Sequence, residues 1–326
     1  MKKILGMGNA LTDILLQIDN DEVLFSLNLL KGGMQLINTE RSQEINDAVS
    51  NYSKIMATGG SASNTINGIT RLGMNGGFVG KIGKDDIGLF FTNDSVNNGV
   101  KPHLLLSETP SGRCTVLVTP DSERTLCTYL GAACELLASD LKPEMFRGYD
   151  IFHIEGYLVQ NHDLIRTAVR LAKQEGLKVS VDLASYNVVE DNLDFLLEIV
   201  HEYVDIVFAN EEEARAFTGK EPEEALNIIA EHCEIAIVKV GKDGSFIKSG
   251  GKIIQVQPRQ ANCIDTTGAG DLYASGFLFG LANNYSLEVC GQIGSLISGN
   301  VVEVLGAKMS DEVWETIHAE IKKIVD

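Results

Sequence analysis

From Asp150 to Gly241 short apolar runs alternate with longer amphipathic ones, and this alternation limits the possible folds more than any other feature of the chain. Residues 151–154, 178–181, 206–209 and 235–240 are short apolar runs and read as buried strands. Residues 164–174, 193–204 and 223–231 lie between them and read as helices. Repeated strand–helix alternation predicts a parallel sheet covered on both faces. In such sheets chemistry gathers beyond the carboxyl ends of the strands. Glu155, Asp182, Asn210 and Gly241 each follow a strand and are expected to face one crevice.

The stretch that carries the chemistry is Asp265-Thr266-Thr267-Gly268-Ala269-Gly270-Asp271. It follows a predicted strand at 252–257 and leads into a buried helix at 272–282. Gly268, Ala269 and Gly270 bring almost no side chain to the start of that helix. The first N–H groups of a helix lack internal partners, so this is a place for an anion, most often a phosphate. Asp271 puts a carboxylate beside that anion. It would repel a phosphate unless it had another task, such as taking the proton of an attacking hydroxyl. The plainer alternative is an N-cap aspartate after a glycine turn.

The seven residues resemble the signature of the PfkB-type, ribokinase-like sugar and nucleoside kinases. Thr58-Gly59-Gly60-Ser61-Ala62-Ser63-Asn64 resembles that family's amino-terminal signature, as does Gly80-Lys81-Ile82-Gly83-Lys84-Asp85-Asp86-Ile87-Gly88. Asp85 and Asp86 read simply as carboxylates at a helix start. The resemblance covers nearly the whole chain. It implies a ribokinase-like α/β fold with a mainly parallel central sheet, helices on both faces, and a small β-sheet lid. Residues 1–10, 39–99 and 131–326 are expected to form the core, and 11–38 and 100–130 the lid. Strands are predicted at 3–7, 14–18, 32–38, 103–106, 114–119 and 125–130, with Pro120-Asp121-Ser122-Glu123 as a hairpin loop, and a helix at 40–57.

The resemblance also assigns roles. Asp271 is the base, and Gly268, Ala269 and Gly270 hold the migrating phosphoryl group. Asn9, Asp13, Gly59, Gly60 and Asn64 hold the acceptor, with Glu155 a further candidate. Asn210 and Glu213 match the family's N-x-x-E, which holds magnesium largely through water. Asn at N-cap with Glu three residues later is equally a capping box. Lys239, Gly241 and Gly244 lie in Lys239-Val240-Gly241-Lys242-Asp243-Gly244, where the family's glycines approach nucleotide phosphates. Many members carry Thr where this chain has Lys239, so one phosphate contact is altered or a cation gained. Asp243-Gly244 also suits a plain hairpin turn. Residues 298–306 correspond to the adenine pocket, with Asn300 as candidate. ATP and Mg2+ are the implied cofactors, with room for a monovalent cation. Arg113 and Arg124 in the lid read as solvated cations or phosphate contacts.

Runs at 31–37 and 118–131 look most like bacterial adenosine-kinase-like proteins, which makes adenosine the leading acceptor and ribose or fructose the runner-up. Met34, Leu36, Leu126, Tyr129 and Tyr157 are candidates to line a slot for the base, or else to pack the lid's own core.

Two other classes compete. A non-catalytic nucleotide or sugar sensor would need no base. A dinucleotide-dependent oxidoreductase is suggested by Gly6-Met7-Gly8-Asn9-Ala10-Leu11, but Leu11 stands where the fingerprint needs its third glycine. No P-loop pattern is present. The net charge of −18 argues against nucleic acid as a partner, and 44% hydrophobic residues allow a large core. The six cysteines are scattered with no C-x-x-C pair, so neither zinc nor a disulfide framework is suggested. Met1-Lys2-Lys3 could open a signal peptide, but Asn9 and Asp13 interrupt the apolar run. No window approaches a membrane span. The expected setting is cytoplasmic, with a small-molecule substrate and a homodimer formed through the exposed lid edges.

Overall fold

The computed structural model describes residues 2–121 and 123–326. Met1, and Ser122 in the expected hairpin loop, lie outside the described residues. The fourteen strands are β1 (Lys3–Met7), β2 (Leu11–Gln17), β3 (Met34–Leu36), β4 (Lys54–Gly59), β5 (Asn75–Gly83), β6 (Val100–Ser107), β7 (Gly112–Val118), β8 (Arg124–Tyr129), β9 (Ile151–Glu155), β10 (Lys178–Asp182), β11 (Ile206–Asn210), β12 (Ile235–Lys239), β13 (Ser245–Ser249) and β14 (Lys252–Val256).

Nine strands form one sheet in the order β14-β13-β12-β11-β10-β9-β1-β5-β6. From β6 to β12 every pairing is parallel, and β13 and β14 add an antiparallel hairpin at one edge. Alternate residues of its inner strands feed two separate cores. Leu5, Phe152, Val179, Val207 and Val238 pack on one face; Ile4, Ile151, Ile206 and Ile237 pack on the other. The expected doubly covered, mainly parallel sheet is therefore present, and its strands read as continuous apolar runs because both faces are buried. The chain lays β5 on one side of β1 and β9 on the other. The strand order reverses there, and a crevice opens at the carboxyl ends of β1 and β9. Gly6 to Leu11 leads from β1 into a strand, not a helix, which removes the dinucleotide fingerprint.

A second sheet, β3-β8-β7-β2-β4, stands over that crevice. Its composition corrects two expectations. The helix predicted at 40–57 ends at Ala48, and residues 54–59 instead form β4, antiparallel to β2 from Leu11↔Gly59 to Leu16↔Lys54. The polar turn at Asn51-Tyr52-Ser53 separates the two. The strand predicted at 103–106 as part of the lid belongs to β6, at the edge of the large sheet. Its partner β5 contains Gly76, Gly77, Gly80 and Gly83, which blur any period in the sequence and hid the strand that β6 needs. Among the described residues no helix is long and apolar enough to cross a membrane.

Candidate active site

Asp271 lies in the first turn of the helix Ala269–Ala282, with Gly268 as its N-cap in left-handed backbone (φ 76°). The loop before it is folded by Asp265. One carboxylate oxygen accepts from the Thr267 N–H (3.0 Å) and hydroxyl (2.8 Å); the other accepts from the Gly306 N–H (2.7 Å) and pairs with Arg124 of the lid. Arg124 also donates to the Thr267 hydroxyl (2.7 Å), so the small sheet touches this loop directly.

The Asp271 carboxylate is held from the helix Ser61–Arg71. Ser61 Oγ donates to Oδ1 (2.7 Å) and Asn64 Nδ2 donates to Oδ2 (3.0 Å). Burial pushes its carboxyl up to about 6, although both donors and Lys239 pull it down and Asp182 adds to the rise. Such a group is ionised near neutrality and still basic enough to accept a proton. Ser61 was not read as a site residue; its place just after the diglycine, at a helix start, was the available signal.

Asp13 projects from β2 toward Gly59. A Cβ at Gly59 would stand 2.5 Å from both Asp13 carboxylate oxygens, so only glycine leaves room for that carboxylate. Burial lifts Asp13 to about 6 against the pull of Lys308 and Arg124. Gly60 (φ 90°) turns the chain into the helix that carries Asn64. Asn9 is fixed by Glu155, whose Oε1 accepts from the Asn9 N–H (2.8 Å) and amide (2.7 Å), while Oε2 accepts from the Ala62 N–H (3.0 Å). Glu155 is buried and joins the end of β9 to Asn9 and to the backbone of Ala62. Lys308 had no sequence signal; it donates to Thr58 Oγ1 (2.8 Å), and burial lowers its amine to about 8.

A cleft of about 870 Å³ runs outward from Asp271. Gly268, Ala269 and Gly270 line it, with Lys239, Gly241 and Gly244 opposite. Gly241 and Gly244 form the turn between β12 and β13, as the hairpin reading expects, and both line the cleft. Its far end is lined by Pro258, Arg259, Ser295, Ser298, Gly299 and Val302. Asn300 does not reach the cleft: it is buried, and its amide donates to Leu296 O (2.8 Å) within its own helix.

Asn210 and Glu213 form a complete capping box. Glu213 N–H donates to Asn210 Oδ1 (2.8 Å), and the Asn210 N–H and amide donate to the two Glu213 oxygens (2.8 and 2.7 Å). Burial, reinforced by Asp182, raises Glu213 to about 7. Among the described residues no three His, Cys, Asp or Glu side chains converge as a metal cage. The donor pair that does line the cleft, Asn210 and Glu213, fits a hard cation that keeps most of its own waters. Asp85 is an N-cap accepting from Gly88 N–H (2.8 Å), the plain reading given above.

A glycine-rich helix start, a buried carboxylate able to accept a proton and a polar cleft beside a second sheet suit a phosphotransferase that acts on an alcohol group. The chain belongs to the PfkB family of carbohydrate kinases, whose pattern matches residues 31–314. It is similar to a probable sugar kinase from Rhizobium etli CFN 42, at 34% identity over 99% of each chain with a TM-score of 0.87. It is equally similar to the adenosine kinase of Sinorhizobium meliloti, at 34% identity over 98% of this chain and 99% of that one, with a TM-score of 0.86. A 5-dehydro-2-deoxygluconokinase from Bacillus subtilis (strain 168) is 26% identical over 82% of this chain and 86% of its own length.

Proposed function

We propose that this kinase transfers the γ-phosphoryl group of ATP to a primary hydroxyl of a nucleoside, with adenosine as the acceptor. One face of the lid sheet carries the acceptor reading. Strand register puts Met34, Leu36, Leu126 and Ile55 on the same face as Asp13 and Arg124. Met34, Leu36 and Ile55 are 62, 64 and 71% exposed, an apolar surface beside a carboxylate that can accept from two neighbouring hydroxyls. A flat base suits such a surface, whereas a sugar would need its buried hydroxyls paired there. Tyr129 falls on the opposite face, is buried, and bonds Thr39; it packs the lid instead. Tyr157 remains at the cleft wall. Similarity to the Sinorhizobium adenosine kinase supports the same reading.

In this assignment Asp271 takes the proton from the attacking hydroxyl, and Ser61 and Asn64 aim its carboxylate. Asn9, Asp13, Gly59, Gly60 and Asn64 hold the acceptor. Gly268, Ala269 and Gly270 receive the phosphoryl group, while Lys239, Gly241 and Gly244 face the rest of the triphosphate. Asn210 and Glu213 would hold magnesium through water, where it neutralises phosphate charge. A sugar acceptor is the second reading, favoured by equal identity to the Rhizobium sugar kinase. The test is ADP release across adenosine, other nucleosides, ribose and fructose. Adenosine is expected to turn over best; turnover of sugars with no reaction or competition from adenosine would replace the nucleoside by a sugar.

A further inference from the structure

Lys239 ends β12 and reaches past β11 to Asp182 at the end of β10, where Nζ donates to Oδ2 at 2.7 Å. The other Asp182 oxygen accepts from the Ala184 N–H (3.1 Å), which fixes the carboxylate. The Lys239 side chain is 15% exposed and lines the phosphate cleft. Its ammonium stands directly against the helix start: a Cβ on Gly270 would lie 3.0 Å from Nζ and, apart from its own chain neighbours and helix backbone, within 4 Å of nothing else. Glycine at 270 thus leaves open the space between the ammonium and the helix start.

An ammonium has three N–H donors. Asp182 takes one, and no other hydrogen-bond partner is found for Nζ among the described residues. Burial alone would lower the Lys239 amine, but the Asp182, Glu213 and Asp271 carboxylates outweigh it and hold the amine above its ordinary range. A buried ion pair is in itself weak support for stability, since apolar replacements of such pairs are often neutral or better. Its position over an anion cradle gives this pair a different use.

We propose that Lys239 is a catalytic residue of the phosphoryl transfer and that Asp182 is its positioning residue. The inference rests on the kinase reading of the site. In the transfer, a bond forms between the acceptor oxygen and the γ-phosphorus, and the proton of that hydroxyl passes to Asp271. The bond between the γ-phosphorus and the β–γ bridging oxygen breaks, and its electron pair stays on that oxygen, now part of ADP. The charge collecting there meets the free N–H donors of Lys239. The contact strengthens as the leaving oxygen gains charge, so it favours the transition state over bound ATP.

The test compares Lys239→Met with the double variant Lys239→Met/Asp182→Asn, in full-length protein with ATP and the best acceptor. Losing one such preorganised donor costs about 10²–10³-fold in kcat, and both variants are expected to show that loss with a far smaller change in the Kd for ATP. The double variant removes the unpaired buried carboxylate, and a thermal melt verifies that it is folded. If Lys239 only balanced the charge of Asp182, the double variant would regain wild-type kcat; that result overturns the proposal, as does wild-type kcat in Lys239→Met. Wild-type protein that releases no ADP with any hydroxyl acceptor overturns the kinase reading itself, and this inference with it.

Discussion

Asp271 shows how one residue type takes different work from its surroundings. At a helix start an aspartate usually caps, as Asp85 does. Asp271 instead lies inside the first turn and accepts from Ser61 and Asn64 on another helix. Asp271→Asn keeps the shape and removes the base, so kcat is expected to fall about 10²–10⁴-fold with little change in ligand affinity. Because the carboxyl is raised to about 6 and acts when ionised, kcat/KM should fall about tenfold per unit below that pH and level off above it. Stability runs the other way. A raised carboxyl contributes stability that is fully present below its unfolded value of 3.8 and is lost as pH rises through about 6. The Asn variant should therefore gain in Tm relative to wild type between pH 4 and pH 7; a steady or falling difference would contradict the burial argument. Gly59→Ala tests the acceptor side. Its methyl would displace the Asp13 carboxylate, and a shift of that size is expected to cost about 10²-fold in acceptor kcat/KM while ATP binding holds. Unchanged acceptor kinetics would remove Asp13 from the acceptor site.

At the scale of elements, legibility followed burial and periodicity. β9 to β12 were readable because strands buried on both faces are short apolar runs between helices. β5 was not, since its four glycines carry no hydropathy signal and serve close packing instead: at Gly77 a Cβ would stand 2.1 Å from the Tyr149 hydroxyl. β4 was masked because its apolar residues continue the spacing of the preceding helix, and only pairing with β2 decides its conformation. The Asp265–Asp271 loop and the diglycine helix start were legible as local motifs, and Asp182 by its place after a strand, whereas Ser61 and Lys308 matter through partners 210 and 250 residues away. Such distant pairings leave no local pattern. The lid also meets the anion loop in this way, through Arg124 and Asp265. Closure over bound ligand should slow amide exchange in β2, β7 and β8, and Arg124→Ala should weaken that protection. Equal exchange with and without ligand would argue against a closing lid.

For the whole molecule, the two sheets divide the labour. The large sheet brings the ends of β1, β9, β10, β11 and β12 to one crevice, and the small sheet carries Asp13 and Arg124. The net charge of −18 plays no part in this; the cations that matter, Lys239, Lys308 and Arg124, are each set against carboxylates inside the site. The central claim is phosphoryl transfer from ATP to an acceptor hydroxyl with Asp271 as base. Its most direct test is to quantify phosphorylated adenosine and ADP from the same reaction, for wild type and Asp271→Asn. The account predicts equal amounts of AMP and ADP from the wild type and almost none from the variant. ADP formed without AMP, or wild-type rates in Asp271→Asn, would contradict it.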